Sequence, residues 1–133
     1  MDDVLTVCCY CGCGCGLYLH VEDGRVTGST PSRNHPVSRN NLCVRGWQAH
    51  GFIHDAGRLT RPLVRKGGTL RPATWDEALD RTAGELTRIR ERYGPDSIGV
   101  IASAKCTNEE NYLLQKFARA VLGTNNIDHC ARL

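Results

Sequence analysis

The chain has 133 residues, of which 41% are hydrophobic and 23% charged, and its formal net charge is +3. This composition is typical of a globular protein of one domain, or of a small domain with part of a second. The 17 basic residues form no dense run, which argues against nucleic acid as a partner, and no apolar stretch approaches transmembrane length. No apolar signal segment follows the acidic N-terminus, so a cytoplasmic location is expected.

The first part of the chain is predicted to be rich in β-structure. Residues 4–8 suggest a short strand, and residues 17–21 alternate apolar and polar side chains as a strand does. Asp23-Gly24 predicts a two-residue hairpin, from which a return strand begins at Arg25. Residues 30–42 are rich in Ser, Pro and Asn and are expected to form a loop.

The pattern changes to helical near residue 74. A second hairpin is predicted at Gly67-Gly68. Thr74 and Glu77 then have the spacing of a capping box, which opens a helix whose apolar residues share one face. Gly94-Pro95 is expected to end this helix.

A strand and a further helix are predicted beyond it. Residues 98–102 suggest a buried strand, and a second capping box at residues 107–110 opens a helix that Gly123 closes. The predicted fold is α+β followed by α/β, with a small β-rich domain over residues 1–60 and the incomplete beginning of an α/β domain over residues 61–133. One parallel strand and two helices cannot cover both faces of a parallel sheet, so a larger protein is expected.

Cysteine is the most informative residue type, since five of the eight cysteines fall within residues 8–15. Disulfides there would close several short, strained loops, so metal ligation is the better interpretation. Three close thiolates and a distant fourth predict an iron–sulfur cluster. Zinc is the alternative, although a second Cys-x2-Cys pair is absent. The predicted ligands are Cys8, Cys11, Cys15 and Cys43.

Other residues near this set are open to two interpretations. Cys9 and Cys13 could replace a neighbouring ligand, but their spacing fits less well and they are interpreted as spare thiols. Arg45 follows the last ligand by two residues and would favour a negatively charged cluster, although a surface arginine is the alternative. Cys106 and Cys130 are expected to be buried apolar residues.

Several longer stretches are distinctive when taken together, and they cover essentially the whole chain. They are Thr6-Val-Cys-Cys-Tyr-Cys-Gly-Cys-Gly-Cys15, Asn41-Leu-Cys-Val-Arg-Gly46, and residues 58–63, 74–79, 106–112 and 115–133. These stretches resemble the N-terminal part of molybdenum- or tungsten-dependent oxidoreductases that carry bis-molybdopterin guanine dinucleotide. Within that superfamily the chain is most similar to the catalytic subunit of formate dehydrogenase.

The resemblance implies a [4Fe–4S] cluster on the four cysteines, followed by the beginning of a pterin-binding domain. In the family a lysine usually stands between cluster and pterin where this chain has Arg45, so Arg45 is expected to assist electron transfer. Lys105 stands where these enzymes often have an arginine near the pterin. Cys9 replaces a usual proline, and Cys13 a small or aliphatic residue, without loss of a ligand.

The resemblance also implies an activity. The full enzyme would oxidise formate to carbon dioxide at molybdenum or tungsten, and electrons would pass through the pterin to the cluster and then to an acceptor subunit or soluble carrier. A related enzyme such as a nitrate reductase is one alternative. A stand-alone metal-binding module without catalysis is the other.

The end of the sequence matches the family at an informative position. In formate dehydrogenases the segment that resembles residues 130–133 is followed at once by the cysteine or selenocysteine that ligates the metal. The catalytic residue is therefore expected immediately after Leu133, and this polypeptide alone is expected not to oxidise formate. We hypothesise that the sequence stops at a selenocysteine codon; an incomplete or degenerate gene is the alternative.

Overall fold

A computed structural model describes residues 2–130, so the expectations for Leu133 and the residue after it lie outside the described residues. The described chain forms two compact units. One comprises residues 2–58, 102–114 and 129–130, and the other residues 59–101 and 115–128. No helix within residues 2–130 is long and apolar enough to cross a membrane.

The first unit contains a three-stranded antiparallel sheet in the order β1-β2-β3. Its strands are β1 (Asp2–Val7), β2 (Gly16–Glu22) and β3 (Arg25–Pro31). The predicted hairpin is confirmed, because Asp23 (φ 48°) and Gly24 (φ 74°) both have the positive φ of a type I′ turn. The return strand is longer than predicted. It extends into the segment expected to be a loop, because Pro31 still lies in register with Leu17.

The core of this unit lies beside the cysteines. Leu17 is 1% exposed and packs with the buried Cys8 and Ala49. Burying one leucine side chain contributes about 2 kcal/mol. Cys15 and Leu42 are partly buried against the same cluster. Two of the predicted ligands are therefore anchored in the hydrophobic core rather than carried on an exposed loop.

A short helix, α1 (Val44–Trp47), follows Cys43 directly. The Ser29 hydroxyl of β3 lies 3.1 Å from the Gly46 carbonyl oxygen and 2.9 Å from that of Trp47. Ser29 is 5% exposed, so these hydrogen bonds are largely shielded from water. These hydrogen bonds hold α1, and the Cys43 residue that precedes it, against the sheet.

The second unit begins with a hairpin of β4 (Leu63–Lys66) and β5 (Thr69–Pro72). The predicted turn is confirmed, with positive φ at Gly67 (57°) and Gly68 (85°). Together these angles again fit a type I′ turn.

The long helix α2 (Trp75–Tyr93) follows, as predicted, and its capping box is only half formed. Thr74 Oγ1 accepts a hydrogen bond from the Glu77 amide at 3.2 Å. The Glu77 carboxylate does not accept a hydrogen bond from the Thr74 amide, as a complete capping box would require. It lies instead 2.5 Å from Lys66 Nζ, because the charged ammonium group competes with the Thr74 amide for the carboxylate.

The predicted end of α2 is confirmed, but its apolar face is not buried. Gly94 has a positive φ of 84°, and its amide donates to the Arg90 carbonyl at 2.9 Å. Trp75 is 66% exposed and Leu79 is 59% exposed. The extent of the helix is as predicted, and no residue of α2 is buried within the described part of the chain.

Strands β6 (Val100–Ser103) and β7 (Ile127–Cys130) form a separate two-stranded sheet. The Val100 amide bonds to the Asn126 carbonyl, and the Ala104 amide to the Cys130 carbonyl. Both partners advance in the same direction, so the strands are parallel. The prediction of a buried strand here is wrong for Ile101, which is 86% exposed, because within residues 2–130 only β7 lies beside β6.

Between these strands lie α3 (Asn108–Lys116) and a π-helical turn (Phe117–Leu122). The predicted capping box is confirmed. The Thr107 amide donates to Glu110 Oε2 at 2.7 Å, and the Glu110 amide donates to Thr107 Oγ1 at 3.2 Å. The helix was predicted to continue regularly to Gly123. Instead it widens in its last turn, where the Gly123 amide bonds to the Ala118 carbonyl.

The capping box makes stability depend on pH. Hydrogen bonds from the Thr107 amide and hydroxyl lower the pKa of Glu110. A lowered pKa stabilises the fold above the unfolded value of roughly 4.3, and this gain is lost as pH falls through the folded value. We expect Glu110→Gln to be less stable than the unmodified chain near neutral pH, with the difference shrinking in acid, in urea denaturation followed by circular dichroism.

The adjacent Glu109 provides a matched control. Its carboxylate makes no hydrogen bond or ion pair within residues 2–130, so Glu109→Gln should leave the pH dependence unchanged. Equal pH profiles for Glu110→Gln and the unmodified chain would contradict the assignment.

Candidate metal centre

The loop between β1 and β2 carries three of the four predicted ligands. The last pair of the β1–β2 ladder joins Val7 and Gly16. The Cys8 amide then donates to the Cys15 carbonyl at 2.8 Å, which extends the pairing by one step. Cys8 and Cys15 are thereby held side by side at the base of the loop, and Cys11 lies within it.

The fourth predicted ligand, Cys43, reaches the site from the N-terminal end of α1. Its backbone is extended (φ −76°, ψ 171°) and it occupies the N-cap position. Hydrogen bonds from the amides of Gly46 and Arg45 lower the pKa of the Cys43 thiol, and the Arg45 guanidinium acts in the same direction. These amides are the donors that a helix leaves unpaired at its start, so α1 favours a thiolate here.

All four predicted ligands line one cavity of about 250 Å³. The other residues lining it are Tyr10, Leu42, Val44, Arg45 and Gly46. Sequence reasoning did not select Tyr10 or Leu42, although each lies next to a predicted ligand in the sequence. Cys9 and Cys13 are exposed and do not line the cavity, although both lie next to it. A hydrogen bond with the Cys11 side chain raises the pKa of the Cys13 thiol, and Cys9 contributes to the raised pKa of Cys8.

The electrostatics of the cavity favour a positively charged occupant. Burial raises the pKa of the Cys8 thiol, and the thiolates of Cys9, Cys11 and Cys43 add to the shift. Burial likewise raises the pKa of Cys15. Thiolates this close repel one another, so they can all be ionised only when a positively charged group lies among them.

The thiols of this site are available to a metal. Zinc requires four sulfurs at about 2.3 Å from one ion, whereas an iron–sulfur cluster is held by four thiolates around a larger group. None of the cysteines within residues 2–130 forms a disulfide, and four of them line one cavity. The choice of a cluster over zinc rests on the spacing of these cysteines in the sequence.

Cys106 and Cys130 do not join this site. They were expected to be buried, but the structure shows both as partly exposed. Neither lines the cysteine cavity. They lie beside β6 and in β7, where the two-stranded sheet has too little cover to bury them fully.

Arg45 also borders a second cleft, and Lys105 lies in it. This cleft has a volume of about 340 Å³ and is lined by Tyr10, Val44, Arg45, Gln48 and Lys105. Tyr10, Val44 and Arg45 are common to both cavities, so Arg45 stands between them. No acidic residue lines the cleft, and neither Arg45 nor Lys105 forms an ion pair within residues 2–130. The cleft therefore favours an anionic group.

Comparison with protein families agrees with this arrangement. Residues 1–55 match the molybdopterin oxidoreductase Fe4S4 domain, and residues 58–133 match the molybdopterin oxidoreductase domain. The chain belongs to the molybdopterin oxidoreductase family. The match implies a [4Fe–4S] cluster and a molybdopterin cofactor in the full enzyme, as the cysteine spacing and the resemblance predicted.

Curated relatives include formate dehydrogenases. The chain is 49% identical, over its whole length, to the alpha subunit of F420-dependent formate dehydrogenase 1 of Methanococcus maripaludis. It is 51% identical over 98% of its length to the corresponding subunit of Methanocaldococcus jannaschii. In both comparisons the chain spans 19% of the relative. The predicted resemblance to formate dehydrogenase is confirmed for this stretch.

A solved structure supports the family assignment. Acetylene hydratase from Pelobacter acetylenicus superposes with a TM-score of 0.75 at 28% sequence identity. The superposition covers 94% of this chain and 18% of that protein. The described fold, an Fe4S4 domain with the start of a molybdopterin oxidoreductase domain, is thus shared with acetylene hydratase as well as with formate dehydrogenases.

The cavity predicts which cysteines hold iron. We expect Cys→Ser substitution at any of the four cavity positions to remove most of the absorbance at about 400 nm and most of roughly four irons per chain after anaerobic reconstitution. The positions are Cys8, Cys11, Cys15 and Cys43. Iron analysis with absorbance spectroscopy of the 133-residue chain measures both.

Cys9→Ser and Cys13→Ser are the matched controls, because these thiols are neighbours in sequence but do not line the cavity. Both should keep the cluster. If either control loses it while a cavity variant keeps it, the ligand set is wrong. A colourless protein with about one zinc would exclude the cluster.

Proposed function

We propose that this chain is the iron–sulfur, electron-transfer portion of a formate dehydrogenase. The observation that carries the proposal is the convergence of four cysteines on one cavity that adjoins a basic cleft through Arg45. The named formate dehydrogenase relatives supply the substrate. The alternative of a stand-alone metal-binding module receives no support from them.

The proposed division of the chain places the cluster in residues 1–60 and the beginning of an α/β pterin-binding domain in residues 61–133. The parallel pairing of β6 and β7, with helical residues between them, supports the α/β assignment. In the full enzyme the pterin cofactor would bind molybdenum or tungsten and supply the chemistry of formate oxidation.

Within this chain, Cys8, Cys11, Cys15 and Cys43 would hold the cluster, and Arg45 would lie between it and the pterin. The guanidinium would balance part of the negative charge of the cluster and thiolates. Lys105 would bind an anionic part of the pterin cofactor in the same cleft. Electrons would leave to an acceptor subunit or a soluble carrier. We further propose that the enzyme is cytoplasmic.

Formate and nitrate distinguish the proposed activity from that of a related reductase. In the full-length enzyme that contains this chain, anaerobic addition of formate should reduce the cluster, seen as bleaching near 400 nm and a new electron paramagnetic resonance signal. Nitrate added to the dithionite-reduced enzyme should leave it reduced. Reoxidation by nitrate with no response to formate would overturn the proposal.

The role of Arg45 predicts a change in the reduction potential of the cluster. Removing its positive charge should destabilise the more negative, reduced state, so Arg45→Ala should lower the potential. Arg45→Lys keeps the charge and should restore most of the loss. Redox titration of the reconstituted chain, followed by electron paramagnetic resonance, measures the potential.

Arg33→Ala controls for the loss of an exposed arginine from the same unit. Arg33 lines neither cavity and makes no ion pair within residues 2–130. Its removal should leave the potential unchanged. Equal potentials for Arg45→Ala and Arg33→Ala would show that Arg45 is only a surface residue.

A further inference from the structure

The first residue of α3 contacts the cysteine loop. Asn108 Nδ2 donates a hydrogen bond of 2.9 Å to the carbonyl oxygen of Gly12. The two residues are 96 positions apart in the sequence and lie in the same compact unit. Gly12 follows Cys11 directly, so the bond acts on the backbone next to a proposed ligand.

Packing at Gly12 points to the same contact. A Cβ atom built on Gly12 would lie 2.5 Å from Asn108 Oδ1 and 3.2 Å from Asn108 Cγ, and the third nearest atom is Asn108 Nδ2. Gly12 is not among the glycines with positive φ. Gly14 differs, because its φ is +63° and nothing lies within 4 Å of its Cβ position. A methyl group at Gly12 would therefore displace the Asn108 side chain, whereas Gly14 is favoured by its backbone angle.

Asn108 is itself held in place. It lies between Thr107 and Glu110, whose reciprocal hydrogen bonds fix the first turn of α3. Asn111, one turn further, donates to the carbonyls of Ser103 and Thr107 at 3.1 Å. The side chain thus projects from a rigid helix start and not from a mobile loop.

We propose that Asn108 is a positioning residue for the iron–sulfur site, in that its amide fixes the backbone between Cys11 and Cys13. The inference rests on the proposed ligand set. A ligand loop held at its base only by the Cys8–Cys15 hydrogen bond could open at its tip. The bond to Gly12 closes that tip against α3, which keeps Cys11 directed to the cavity and slows the release of iron.

The first experiment removes the amide. Asn108→Ala in the reconstituted 133-residue chain should lose iron to a strong chelator roughly two- to tenfold faster, the range that one hydrogen bond spans. It should also shift the electron paramagnetic resonance spectrum of the reduced cluster, because Cys11 is no longer held in one geometry. Asn34→Ala is the control, since Asn34 is exposed and makes no side-chain hydrogen bond within residues 2–130.

The second experiment is a double-mutant cycle. Gly12→Ala places a methyl group against Asn108 and should speed iron loss more than Asn108→Ala does. Combining Gly12→Ala with Asn108→Ala removes the clash, so the double variant should lose iron more slowly than Gly12→Ala alone. This rescue would not occur if Asn108 served only to stabilise α3.

The outcomes separate the two proposals. An unmodified chain that takes up no cluster overturns the proposed ligand set. A cluster that forms normally, with Asn108→Ala and Asn34→Ala equal in iron loss and spectrum, overturns the positioning role. Additive effects of Gly12→Ala and Asn108→Ala in the double variant also overturn it.

Discussion

Mutual repulsion among thiolates is the constraint on which the rest of the site depends. Cys8, Cys11, Cys15 and Cys43 line a cavity of about 250 Å³, and bringing their charges together is unfavourable unless a positive group lies between them. The fold keeps the thiols in place by pairing β1 with β2 and extending that pairing through the Cys8–Cys15 hydrogen bond. Packing of Cys8 against Leu17 ties the same loop to the core, so the ligands are preorganised by the sheet.

The surroundings of the cavity shift the pKa values of the thiols in opposite directions on its two sides. Burial raises the pKa of Cys8 and Cys15 on the core side, while the amides of Gly46 and Arg45 lower that of Cys43 on the helix side. Beyond Cys43 lies the cleft with Lys105, where no acidic residue opposes the positive charge. The cluster counted with its four thiolates is net negative, so it and an anionic cofactor on the other side of Arg45 would each be stabilised by the guanidinium.

Polar contacts from distant segments hold the ligands from outside the cavity. The Gly16 amide donates to the Ser38 hydroxyl at 3.2 Å, and Ser38 is 8% exposed. Ser29 fastens the helix that carries Cys43, and Asn108 holds the loop that carries Cys11. On a rigid scaffold, such hydrogen bonds cost little conformational entropy to form. They orient the cysteine ligands more tightly than the ligand segments would be held without them.

Local patterns in the sequence were sufficient for the hairpins at residues 23–24 and 67–68, the extent of α2, and the capping box at Thr107, because each depends on a few adjacent residues. Cysteine spacing by itself also identified the ligand candidates, since three thiols in one short loop can reach a common group. Burial could not be inferred in this way. Ile101 is exposed despite its apolar neighbours, because burial depends on which elements cover a strand. The same holds for the cleft that Arg45 and Lys105 both line, and for the hydrogen bond from Asn108 to Gly12. Each brings together residues that are far apart in the chain, so only the tertiary structure decides it.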